Sequence, residues 1–183
     1  MQWGLVSGVA LACLAGTTTS LRAENTIVLD TFFSGILPRC QGSKSFEQFR
    51  TSLADRYGHD ANGKRLKSNT PVTAPTEIKP ALGSISAKNK GEYTLVLVPL
   101  SGTFRSLPVS AVEFVFGNEN GYDMTIVRFS ASRSKVAQVL DQDIARAKRL
   151  LKRRFQAGET GADQSVTLDV EGGQTRLICD TSN

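Results

Sequence analysis

Two stretches of strand-forming residues, 111–116 and 122–129, stand on either side of Asn120-Gly121. That dipeptide takes the positive φ values of a two-residue hairpin turn without strain, so the pattern predicts an antiparallel pair and hence a sheet. With Asn120 and Gly121 central, Val112 faces Phe129, Phe114 faces Val127, Val115 faces Ile126 and Glu113 faces Arg128. Each pair is chemically matched, whereas a slide would set Phe116 against Asp123, so the tight turn is the expected register. A second hairpin is expected at Gly172-Gly173, opposing Asp169 to Arg176, Leu168 to Leu177 and Val166 to Cys179.

Between the hairpins lies a helical pattern. Ser134 is placed to cap a helix reaching Gln156, with Val136, Leu140, Ile144, Ala147, Leu151 and Phe155 as one apolar stripe and Gly158 and Gly161 as stops. An earlier helix is expected over residues 46–57, where Ser45 and Gln48 have capping-box spacing and Phe46, Phe49, Leu53 and Tyr57 recur on one face. Residues 26–33 read as a strand or the start of a helix, residues 93–98 as a central strand ended by a turn at Pro99 and Ser101-Gly102, and residues 103–107 as a short strand stopped by Pro108. Residues 59–82 carry three of the six prolines without periodicity and read as a long loop. The expected class is α+β: a mostly antiparallel sheet with two amphipathic helices on one face, one of them long and basic.

Leu5 to Gly16 is an apolar run of signal-peptide length, and Ala23 is a suitable small residue before a cleavage point, although residues 1–4 lack Lys and Arg. The expected arrangement is a signal peptide over 1–23 and one exported domain over 24–183, periplasmic or secreted, with no transmembrane anchor after cleavage. Cleavage would leave 21 Lys and Arg against 17 Asp and Glu, a net charge of +4, and two cysteines. In an oxidising compartment Cys40 and Cys179 are expected to form a disulfide, closing a loop of about 140 residues worth on the order of 4 kcal/mol; two buried free thiols are the alternative.

The charge is concentrated. Residues 134–156 hold seven basic and two acidic residues, and Arg146, Arg149, Lys152 and Arg153 fall opposite the apolar stripe. That face suits the helix dipole as an ordinary solvated surface, or it is the footprint of an anionic partner, such as an acidic protein, a lipid or a glycan of the envelope. Nucleic acid is disfavoured, because no basic strand studded with aromatics is present. Other chemistry is sparse. His59, the single histidine, lies near Asp55 and Asp60; Ser132 to Lys135 matches Ser-x-x-Lys without its companion motifs; residues 117–121 with Asp123 resemble a calcium loop only superficially. No catalytic residue, metal site or cofactor is therefore expected. These features favour an exported binding protein, of the inhibitor or immunity type acting on another exported protein. An envelope-associated structural or adaptor protein and a small hydrolase are the alternatives.

Overall fold

The computed structural model describes residues 26–59, 64, 69–118, 121–159 and 164–182, so the expected signal peptide and Asn120 lie outside the described residues. In chain order the elements are α1 (Ile36–Arg39), α2 (Lys44–Tyr57), a 3-10 turn (Lys79–Ala81), β1 (Ser86–Asn89), β2 (Tyr93–Phe104), β3 (Leu107–Gly117), β4 (Asp123–Phe129), α3 (Arg133–Gln156), β5 (Ser165–Glu171) and β6 (Gln174–Asp180). The strands form one six-stranded sheet in the order β1-β2-β3-β4-β6-β5, and every adjacent pair is antiparallel. The fold is α+β, as expected, with α1 added as a single turn.

The helices share one side of the sheet. Their apolar faces meet Val96, Val98, Val112, Phe114, Val127, Val166, Leu177 and Cys179 in one continuous core. Its densest part is aromatic: Phe32, Phe33, Phe46, Phe49 and Phe114 stack within ring-centroid distances of 5.1 to 6.3 Å. Residues 26–33, which the sequence leaves open between a strand and the start of a helix, contribute Phe32 and Phe33 to this cluster and form neither a full strand nor a helix. They make one parallel bridge, Val28 to Thr103, and then turn into α1. The long proline-bearing segment is likewise tied down at its end, where Ile78 is fully buried ahead of the 3-10 turn.

Both helices begin before their expected caps. Ser43 caps α2, accepting from Phe46 N at 3.2 Å, while Glu47 reaches back to Gly42 N at 2.7 Å. Ser132 caps α3, accepting from Lys135 N at 3.4 Å, and Ser134 instead shares a hydroxyl contact with it at 3.1 Å. The expected break after Pro99 is also absent. β2 continues to Phe104 through a bulge between Pro99 and Gly102. Its turn is Arg105-Ser106, two residues at φ 53° and 63°, and the Asp30 carboxylate accepts from Arg105 N at 3.2 Å, helping to hold this costly backbone.

The β5–β6 hairpin has the expected register throughout, including Asp169 opposite Arg176 and Val166 opposite Cys179. The β3–β4 register does not. Val112 faces Val127, Glu113 faces Ile126, and Phe116 does face Asp123. The strands have slid by two residues, which keeps every side chain on its own face. Arg50 of α2 removes the mismatch: it pairs with the Asp123 carboxylate and lays its guanidinium 5.5 Å from the Phe116 ring centroid. The loop between the strands is closed by Gly117 N donating to Tyr122 O.

Candidate functional site

α3 presents its basic side chains in two groups. Val136, Leu140, Ile144, Ala147 and Leu151 are buried, as expected of the stripe. Phe155 is not: it is 50% exposed. At about 100° per residue Phe155 falls at the edge of the stripe, roughly 20° beyond Ile144, and in the last turn of the helix. Arg146, Arg149 and Arg153 point away from the sheet, as the helical pattern predicts, whereas Lys152 stands with Lys148 and Phe155 on the flank facing β5. Arg146, Lys148, Arg149, Lys152 and Arg153 are all exposed, and none forms an ion pair among the described residues. Their neighbours on the helix behave differently, since Arg154 pairs with Glu159 at 3.5 Å and Asp143 with Arg105 at 3.4 Å.

On this flank α3 and the start of β5 enclose a cleft of about 390 Å³, lined by Lys148, Leu151, Lys152 and Phe155 on one wall and by residues 164–167 on the other. β5 is the edge of the sheet. Neither Lys148 nor Phe155 stood out in the sequence. Lys148 was one cation among seven, and Phe155 was absorbed into the apolar stripe.

The opposite face of the sheet, against which no helix packs among the described residues, holds a second concavity of about 540 Å³. Leu95, Val115, Met124 and Ile126 form its floor, and Tyr93 and Tyr122 meet edge to face at 6.2 Å on its wall. Arginines and carboxylates pair along it, while the Nε atoms of Arg128 and Arg176 are buried without a hydrogen-bond partner. Arg128 bonds Glu113 at 2.9 Å and Glu171 at 3.0 Å; Arg176 bonds Glu171 at 2.7 Å and Asp169 at 2.5 Å. The expected Glu113–Arg128 pair thus forms, though diagonally across the slid register. Burial works against the Arg128 charge, but hydrogen bonds and the charges of Glu113 and Glu171 hold its pKa above the ordinary value. The hydrogen bond from Arg176, helped by Val170 N, holds the Asp169 carboxyl below the usual range.

Cys40 and Cys179 come together as the pairing β5–β6 and the αL turn after α1 dictate, but no disulfide joins them. They lie 2.7 Å apart as free, buried thiols, beyond the roughly 2.05 Å of a sulfur–sulfur bond. The expected bridge is corrected to the dithiol. Cys179 donates to Ile36 O at 3.2 Å and Cys40 lies 3.7 Å from Ser165 O. The hydrogen bond with Cys40, then burial, pushes the Cys179 thiol well above the ordinary thiol range.

The remaining candidates are structurally employed. His59 stands between Thr94 Oγ1 at 3.3 Å and Asn89 Nδ2 at 3.2 Å, with Asp55 lining the same shallow depression. Asp123, read as part of a calcium-like loop, is engaged by Arg50. Asp60 lies outside the described residues. Among the described residues no three metal-ligating side chains converge, and no helix is long and apolar enough to cross a membrane. No protein-family model, curated protein or solved structure matches the chain.

Proposed function

We propose that the protein is an exported binding protein, periplasmic or secreted, whose α3 docks an acidic surface of another exported protein as an inhibitor or immunity-type partner. The observation that carries this reading is the concentration of exposed cations on one helix, where Arg146, Lys148, Arg149, Lys152 and Arg153 have no ion-pair partner among the described residues. A folded chain can neutralise surface arginines cheaply with i, i+4 carboxylates. Here no acid stands four residues from Arg146, Arg149 or Arg153, and Asp143, three residues before Arg146, pairs with Arg105 instead; the resulting field favours association with an anionic surface. Export is supported by the apolar run over residues 5–16 and by Ala23.

The test is charge reversal of Arg146, Arg149, Lys152 and Arg153 to Glu, assayed on mature protein against its own envelope and secreted fraction. Wild type should retain a specific acidic protein and lose it as salt rises toward 0.5 M, since contacts beyond about 5 Å are then screened. The variant should fold and retain nothing. Retention by the variant refutes the reading, and sedimentation of wild type with membranes or cell wall instead would favour the adaptor alternative.

A further inference from the structure

We propose that the cleft between α3 and the start of β5 binds a medium-chain anionic amphiphile, its carboxylate between Lys148 and Lys152 and its chain along Phe155 and the lysine stems. This site is separate from the protein-docking face proposed above and shares only Lys152 with it.

Lys148 and Lys152 are one helical turn apart and both border the cleft, so without a bound anion two like charges face each other at i, i+4 spacing. Neither has a carboxylate partner among the described residues. Beneath them Leu151 and Val166 are closed into the core, and the accessible apolar surface is Phe155, half-exposed at the end. Such an exposed phenylalanine beside a recess is surface that a chain would remove from water, at about 25 cal/mol per Å² covered. The facing wall is Gln164, whose amide can donate to the second oxygen of a carboxylate, and the outer backbone edge of β5. Lysine stems add methylene surface along the chain while their ammonium groups stay at the rim.

Size selects within this chemistry. At about 390 Å³ the cleft lies at the small end of ligand pockets, the size of one short chain. The recess is concave, and its cations sit on one wall only, as a ligand with one charged end requires.

The experiment is titration of mature protein with decanoate, decanol and acetate, followed by calorimetry and amide chemical shifts. Decanoate should bind once per chain and move the amides of Lys148, Lys152 and Thr167. Decanol, lacking the charge, and acetate, lacking the chain, should each bind about tenfold more weakly or not at all. Lys148→Ala with Lys152→Ala should weaken decanoate by about tenfold or more, and Phe155→Ala by a smaller factor. Both variants alter exposed side chains and should fold. Arg146→Ala with Arg149→Ala should leave decanoate affinity within about twofold, and this variant separates the two sites, because it is the one expected to impair the acidic-protein contact. Equal affinity for decanol and decanoate, or unchanged affinity in the double lysine variant, would overturn the proposal, as would shifts confined to the opposite sheet face.

Discussion

Cys179 is 1% exposed and its thiol is held protonated by its contact with Cys40 and by burial. Reduced, folded protein should therefore resist iodoacetamide at pH 8 and take up two equivalents at positions 40 and 179 once unfolded. Because the folded pKa lies above the unfolded value, the native state holds its proton more tightly. This contribution is complete below the unfolded thiol pKa of about 8.5 and lost as pH rises through the folded value. Melts at pH 7 and pH 10 should show a fall in Tm that is smaller in Cys179→Ala. Glu113 poses a different problem. It is 4% exposed on the sheet face against which no helix packs among the described residues, and Arg128 depends on it. Glu113→Ala should cost about 2 kcal/mol in urea unfolding, less than a fully buried pair because Glu171 remains. A loss under about 0.5 kcal/mol would mean that the pair contributes little.

At the scale of elements, the starts of the helices are decided by serines that compete. Ser132 and Ser134 both precede the basic helix, and the geometry gives the cap to Ser132. Ser132→Ala should lower stability by about 1 kcal/mol, with Ser134→Ala clearly milder; the reverse order, read from chemical denaturation, would return the cap to Ser134. The β2–β3 connection is similar in kind. Its bulge depends on Gly102, where an added Cβ would fall 2.6 Å from the Ile27 carbonyl oxygen, because residues 27–29 exchange backbone hydrogen bonds with Thr103 across it. Nothing in the local sequence announces that contact. Its partner is seventy residues earlier in the chain.

For the molecule as a whole, the sheet divides the chemistry. One face is closed by helices and aromatic side chains, the other carries a network of paired arginines and carboxylates, and α3 sets a run of exposed cations outside both. Export adds one more expectation at this scale: intact mass of protein secreted by its native cell should correspond to a chain beginning at Glu24, within a few residues. Retention of Met1 would count against the periplasmic or secreted placement.

The α+β class, α2, α3 and the β5–β6 register were legible in the sequence because each follows from local periodicity and turn chemistry: an apolar stripe for each helix, Gly172-Gly173 for the hairpin. The basic face was legible for the same reason, since helical spacing alone places Arg146, Arg149 and Arg153 together. The tertiary structure decided what depends on distant partners. Arg50, more than seventy residues from Asp123, makes the slid β3–β4 register acceptable. The dithiol is brought together by α1 and β6, which no local pattern relates. Where the last turn of α3 meets the edge strand β5, Phe155 is left half-exposed as a wall beside Lys148 and Lys152 instead of joining the core. Periodicity reports which side of an element is apolar, but a residue's neighbours are set by packing between elements, and packing chose among registers and rotations of similar local energy.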